Sequence, residues 1–413
     1  MTAHRAHALA FSFLAAAPLS ISVLTSPAAL AQAGGLLDGF ETRVETSADI
    51  VMVPGTTDAA RNGPYGEIRL ALSSGRVLES LNRIGFASEL VLRRDSGRAG
   101  LAQTVGDCPP AVTGCASTGG AVPVGAFTGF AAAPGISGDN PAIALETAYV
   151  YWSGGYGEVR AGFGPGAAAL ESEAMPGAFW LMRADSTRSD PLGLNLASTA
   201  NTLSGHAPKI TVRSVRLAGF RVAASFTPDG DVCGASYCRP QRQPGLLAAA
   251  SVRNIAELGA SFDHRFASSG VRWTAGIGLA HGQAHGADGV FFNDPWAVSA
   301  RIVRSQGGWK AGISTLASND GVSGTGYRAH SASLSYETGD WLFSAEASSA
   351  RASLADATSR TVMAGVSRYF SPGIILGLGI THTDADLADV SGGARTTLNT
   401  ARTRVFMEAG LRF

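Results

Sequence analysis

Arg402-Thr403-Arg404-Val405-Phe406-Met407-Glu408-Ala409-Gly410-Leu411-Arg412-Phe413 is the stretch that decides the fold. Taken in steps of two, Thr403, Val405, Met407, Ala409, Leu411 and Phe413 form one set, and Arg402, Arg404, Phe406, Glu408, Gly410 and Arg412 form the other. A strand turns successive side chains to opposite faces, so one face here is apolar and the other mostly charged. The same split recurs at Ile374, Leu376, Leu378 and Ile380 against Ile375, Gly377, Gly379 and Thr381. It recurs again at Val271, Trp273, Ala275, Ile277 and Leu279 against Arg272, Thr274, Gly276, Gly278 and Ala280.

A soluble sandwich alternates too, so connection lengths must decide. Short Gly- or Pro-bearing links fall at Gly154-Gly155, Leu217-Ala218-Gly219, Ser268-Ser269-Gly270, Gln306-Gly307-Gly308, Thr338-Gly339-Asp340 and Ser371-Pro372-Gly373, with longer polar loops between them. Such alternation trims one end of a sheet and elaborates the other, as in an outer-membrane barrel. Strands are expected at 40–48, 66–74, 83–94, 142–152, 156–163, 208–214, 219–227, 255–266, 270–282, 297–305, 308–316, 328–337, 341–349, 361–370, 373–383 and 401–413. That is sixteen, an even number, and it places every short turn at one end. The expected fold is all-β: a closed antiparallel transmembrane β-barrel, in which closure satisfies every backbone group without leaving an edge.

Composition agrees. Of 413 residues only 15% are charged, against about 25% in soluble proteins, while 52 are glycine. Mean hydropathy is only +0.13, too low for a bundle of apolar helices of about 20 residues each. The apolar fraction of 45% is enough to order the chain. Lys+Arg and Asp+Glu both number 32, so no pull on nucleic acid is written into the charge. Glycine is expected to ease the bends of the closed sheet. Trp152, Phe163, Phe226, Phe262, Trp309, Tyr336, Trp341, Phe370 and Phe413 sit near strand ends on the outward register, as interfacial girdles require.

The N-terminus reads as an address. His4, Arg5 and His7 precede an apolar run from Ala8 to Leu24 and small residues at Ala29, Ala31 and Ala33, the pattern of a secretory signal. Residues 1–31 are therefore expected to be removed, leaving 32–413 as the barrel in an oxidising compartment. Cys108 and Cys115, and Cys233 and Cys238, fall in two external loops. Four cysteines allow three connectivities, and local pairing within each loop is favoured.

Three stretches carry a resemblance. Glu146 to Gly162 (ETAYVYWSGGYGEVRAG), Pro208 to Pro228 (PKITVRSVRLAGFRVAASFTP) and Tyr336-Glu-Thr-Gly-Asp-Trp341, with the terminal Phe413, resemble the Gram-negative general-diffusion porins, which are sixteen-stranded trimers. The resemblance implies a water-filled channel in the outer membrane for passive diffusion of small hydrophilic solutes and ions. It also implies a homotrimer surrounded by lipid and an inward-folded third loop, here 164–207, that narrows the barrel. Phe413 becomes the signal read by the barrel-assembly machinery, and the second loop, 95–141, a packing arm between subunits. A solute-selective uptake channel with a binding site in the lumen is the alternative reading.

The third loop carries Glu171, Glu173, Asp185 and Asp190. Parity turns Arg43, Arg69, Arg93, Arg402 and Arg404 to the lumen on the first three strands and the last, which become neighbours on closure. Together the two sets are expected to impose a transverse field at the narrowest point; otherwise the arginines pair along the wall with Glu41, Glu67, Glu89 and Glu408. Arginine suits the role because it stays charged at any working pH, and among 32 cations only Lys209 and Lys310 are lysines. No catalytic constellation emerges, so an enzyme is not expected, nor any cofactor. His281 and His285 read as polar loop residues, since a metal site would want a helix and a further ligand. Gly162 to Gly166 lacks the lysine that follows a phosphate-binding loop.

Overall fold

The computed structural model describes residues 40–53, 65–94, 122–127, 142–172, 174–186, 194–230, 247–285, 292–354, 356–371, 373–389 and 396–412. Eighteen strands occur among them: β1 (Glu41–Met52), β2 (Tyr65–Val77), β3 (Arg83–Arg94), β4 (Val122–Val124), β5 (Ala142–Gly154), β6 (Gly157–Phe163), β7 (Pro208–Ser214), β8 (Phe220–Asp229) and β9 (Leu247–Ala249), followed by β10 (Ser251–Arg265), β11 (Arg272–His285), β12 (Trp296–Gln306), β13 (Trp309–Ser318), β14 (Tyr327–Thr338), β15 (Trp341–Ala352), β16 (Ala357–Ser371), β17 (Ile374–Asp389) and β18 (Thr396–Arg412). All but β4 and β9 form one closed barrel in which sequence neighbours are spatial neighbours and β1 meets β18. That junction is antiparallel, running from Ser47 opposite Arg412 to Met52 opposite Met407.

The sixteen barrel strands are those the alternation predicts, most of them longer than expected by a few residues. The backbone ladder continues past the point where side-chain alternation fades, as at Asp384 to Asp389 on β17. The tightest links turn on glycines with left-handed backbone, Gly307 (φ 59°) and Gly339 (φ 57°), a region glycine enters without steric cost. His281 and His285 lie on β11 rather than in a loop, and the described residues contain no group of three possible metal ligands.

The two faces separate as the period requires. Ile277, Ile313, Val362, Leu378 and Val405 stand exposed on the outside, while Ser225, Glu257, Ser299, Ser344, Glu346 and Glu408 are buried on the inside. An apolar exterior around a polar interior inverts a soluble barrel and suits a lipid solvent. Among the described residues no helix is long and apolar enough to cross a membrane. Aromatic pairs mark the end bearing the short turns: Trp309 with Tyr336 at 4.5 Å and Phe220 with Phe262 at 4.7 Å between ring centroids. Arg368 lies over both Trp341 and Phe370, at 5.2 and 5.1 Å, an arginine stem folded along the girdle.

One pairing was not legible in the sequence. β4 and β9, each of three residues, join the second and fourth loops as a parallel pair. Just beyond β4, the amide of Ala126 donates to Asp320 O (2.8 Å) and that of Phe127 to Asp320 Oδ1 (2.7 Å). The Phe127 ring stacks on Tyr327 of β14 at 5.8 Å. These residues of the second loop thus pack against their own barrel. The remainder of that loop lies outside the described residues, as do residues 1–31, all four cysteines and Phe413.

Candidate functional site

The site begins where β6 ends and residues 164–207 leave the sheet. A single helical turn, Ala167–Leu170, follows Gly166. The Ala167 amide donates to Ser225 Oγ at 2.9 Å, and Ser225 Oγ in turn donates to Glu257 Oε2 at 2.8 Å. The turn fits because its neighbours have no side chain. A Cβ on Gly259 would stand 2.2 Å from Ala167 O, one on Gly276 2.3 Å from Glu171 O, and one on Gly278 2.7 Å from Ala168 O. Inner-face glycine therefore seats this segment, a role distinct from easing sheet curvature.

Further along, Phe179 enters a second glycine seat formed by Gly365, Gly377 and Gly379 and meets Phe406 edge-on at 4.8 Å. The amides of Trp180, Leu181 and Met182 then converge on one carboxylate, that of Glu408, at 2.5, 3.2 and 2.9 Å. Successive main-chain N–H groups around an anion form a nest, here closed by a buried wall residue. Glu346 does the same for the Ala184 amide (3.0 Å), while Ser348 Oγ donates to Ala184 O (2.6 Å). On the return path Leu196 N donates to Ser359 Oγ at 2.9 Å. Ser198 N donates to the Tyr327 hydroxyl at 2.7 Å, which donates to Leu196 O at 2.7 Å. Lys209 Nζ closes the exit by donating to Gly164 O and Gly205 O, at 2.5 and 2.9 Å. Every one of these wall partners is on the inner face.

Between this segment and the opposite wall a cavity of about 490 Å³ remains. Arg69 of β2 and Glu146 of β5 border it on one side; Trp180, Arg183 and Asp185 of the segment, with Arg301 of β12, border it on another. Arg183 Nε is 3.4 Å from Glu346 Oε2 and 3.9 Å from Asp185 Oδ1; Arg301 is 3.5 Å from Asp185 Oδ2 and donates to Thr199 Oγ1 at 3.1 Å. Arg69 bridges Glu67 and Glu89, at 2.7 Å to each. His206 Nε2 lies 3.3 Å from Glu146 Oε1. The Arg412 guanidinium stacks on Trp180 at 3.6 Å. Charges of both signs are thus fixed by ion pairs around this cavity; a polar lining of this kind keeps water where an apolar one would dewet.

Several expected site residues stand elsewhere. Glu171 does not border the cavity: it is buried against the wall, accepting from Arg213 Nε (2.6 Å), Arg221 Nε (3.0 Å) and Ser261 Oγ (2.5 Å). Burial alone would raise its pKa, but the hydrogen bonds from Ser261, Arg213 and Arg221 prevail and hold the carboxyl below its ordinary range. Its role is to clamp the segment, because three donors converge on it before any solute could. Arg43 is 78% exposed and paired with Glu45 at 2.6 Å, four residues before β1 first pairs with β18, at Ser47 opposite Arg412; it is at the rim. Arg93 is buried on β3 opposite Glu67. Arg402 and Arg404 stand on the inner face of β18 opposite Thr383 and Thr381, beyond the Glu408 nest and away from the cavity. Of the expected arginines only Arg69 borders it, and of the expected acids Asp185. Glu173 and Asp190 lie outside the described residues. Arg301 and Glu146 were missed: inward parity on β12 was the available signal for Arg301, whereas Glu146 shares the parity of the outward Val150 and Trp152 and is turned inward only by the register shift in the β3–β5 ladder, which sequence alternation does not show.

A closed barrel, apolar outside and charged within, with a polar opening bordered by fixed charges, defines a transmembrane channel of the outer-membrane type. The chain belongs to the Gram-negative porin family, whose model matches residues 15–388, and it forms a diffusion channel in the outer membrane. No curated protein matches it in sequence. Solved structures with the same fold include OmpT, an outer membrane protein of Vibrio cholerae, in a trimer form. There the TM-score is 0.55 at 10% identity over 91% of this chain and 100% of that one. The outer membrane channel DcaP of Acinetobacter baumannii gives a TM-score of 0.52 at 10% identity over 91% of this chain and 98% of that one. At such identities the likeness shows the fold alone.

Proposed function

We propose that residues 164–207 are the constriction of this channel and that Arg69, Arg183, Arg301, Glu146 and Asp185 set which small hydrophilic solutes and ions pass. The observation that carries the reading is the anchoring of this segment: its main chain is bound to Glu408, Glu346, Ser359 and Tyr327, wall residues on four strands, leaving the charged cavity as the opening. Passage is passive, and binding at the throat is weak enough to let solute leave. The protein is a channel without catalytic activity, and it works as a homotrimer embedded in lipid. A trimer form in a protein of the same fold supports that assembly. The test is single-channel recording in planar bilayers with reversal potentials in a salt gradient. Ohmic unitary currents that vary with the charge at positions 69, 185 and 301 are expected. Saturation by one solute at micromolar concentration would favour the solute-selective alternative.

A further inference from the structure

One contact at the cavity requires a proton. His206, near the end of the segment, places Nδ1 2.9 Å from the main-chain oxygen of Glu146 and Nε2 3.3 Å from Glu146 Oε1. A carbonyl oxygen only accepts, so Nδ1 is the nitrogen that donates. A neutral imidazole has one N–H, and with it on Nδ1 the Nε2 lone pair would point at a carboxylate oxygen. Two acceptors in that position repel. Either His206 is an imidazolium or Glu146 is a carboxylic acid. In both cases the pair holds one proton more than a neutral histidine beside a carboxylate, and its net charge is zero.

A bulge makes the contact. The ladder between β3 and β5 pairs Glu89 with Thr147 and Leu90 with Leu145, so Glu146 is the extra residue between them. The ladder from β5 to β6 begins only at Ala148, opposite Phe163. Bulges re-aim side chains; this one turns the Glu146 carboxylate into the barrel and presents its carbonyl to His206. The Glu146 side chain is 4% exposed and that of His206 16%, so the proton exchanges with water through the ring, from the cavity side. Arg69 of β2, Arg301 of β12, Tyr327 of β14, and Arg183 and Asp185 of the segment border the same cavity. Lys209 of β7 holds the oxygen of the preceding Gly205. The arginines keep their charge at any working pH.

We propose, on the reading of residues 164–207 as the constriction, that His206 is a specificity-determining residue and that the proton it shares with Glu146 sets the ion preference of the throat. With the proton in place the pair is neutral, and the arginines of the lining favour anions. As pH rises the proton passes to bulk water, the pair becomes an anion, and one negative charge is added to the lining. Acid therefore moves the channel toward anions and alkali toward cations.

The test is the reversal potential of the full chain in a potassium chloride gradient, at about pH 6 and about pH 9, either side of the ordinary imidazole titration. The cation-to-anion permeability ratio of the wild type should rise roughly two- to three-fold between them at about 0.1 M salt, the effect of one charge about 7 Å from the ion path in water. H206N, whose amide replaces the Nδ1 donor without titrating, should hold the wild-type alkaline ratio at both pH values. H206Q, which offers a donor at the Nε2 position instead, checks the same expectation where H206N does not fold. E146Q at the higher pH should match the wild type at the lower. His281, His330 and His382 are exposed on the outer face and are common to every chain compared. A wild-type ratio that does not change with pH, or a folded H206N with the wild-type pH dependence, would overturn the proposal. Asp185→Asn then separates the two readings: if it still shifts selectivity, the constriction stands and the proton site alone falls; if it shifts nothing, both fall.

Discussion

Removing the Glu408 carboxylate should free the constriction while leaving the barrel closed. The side chain is 2% exposed and receives the amides of Trp180, Leu181 and Met182. In Glu408→Ala three donors lose a charged acceptor inside the wall, and each unsatisfied group costs about 1 to 3 kcal/mol. The local penalty is therefore about 3 to 9 kcal/mol, enough to populate a state in which residues 178–184 leave the wall and find water. The sheet itself loses little, because its ladder between β17 and β18 is main chain to main chain. Glu408→Gln keeps one acceptor oxygen and should fall between. Planar-bilayer recording should show larger, noisier unitary currents in the order wild type, Gln, Ala, with heat-modifiable barrel present in all three. Identical conductance in correctly folded Glu408→Ala would refute the claim that this nest holds the constriction.

Neutralising Arg69 and Arg301 together should shift reversal potentials toward cation permeation and Asp185→Asn toward anions, both effects shrinking as the screening length falls from about 10 Å at 0.1 M to about 3 Å at 1 M salt. Gly259→Val should loosen the helical turn, since even a Cβ would stand 2.2 Å from a main-chain oxygen; increased proteolysis within 164–207 of the folded barrel would report it. The Glu171 clamp should resist acid. Its folded-state pKa is depressed, so its stabilisation is complete above the ordinary carboxylate value near 4.3 and is lost only as pH falls through the lower folded value. Protease access to residues 164–172 of the folded barrel should therefore stay unchanged down to about pH 4, and should be raised in Glu171→Gln at every pH.

The barrel was legible because alternation is enforced at every strand by two solvents, lipid outside and water inside. Val405 and Met407 against Arg404 and Glu408 could pair only one way round. The wall residues of the site were legible in direction alone. Parity turned Arg69 inward and left open whether it would face solute or pair along the wall, as it does with Glu67 and Glu89; it could not say that Arg43 would stand at the rim. Segment 164–207 has no periodicity, so the sequence could not tell which of its acids would face wall or water; Glu171 went to the wall because Arg213, Arg221 and Ser261 converge there. Gly259, Gly365 and Gly377 carried a signal that was misread. Glycine on one face only, with long side chains absent at matching heights, marks a seat for another segment rather than curvature. The β4 and β9 pairing had no signal, since three residues show no period.

The central claim is that solutes pass Asp185 in a water-filled throat formed by residues 164–207. It is tested most directly by Asp185→Cys, with the four native cysteines changed to serine, under a charged thiol reagent during single-channel recording. Stepwise partial block on modification, with a shift in ion selectivity matching the reagent's charge, is the predicted result. Complete modification by mass with unchanged conductance and selectivity would contradict the account.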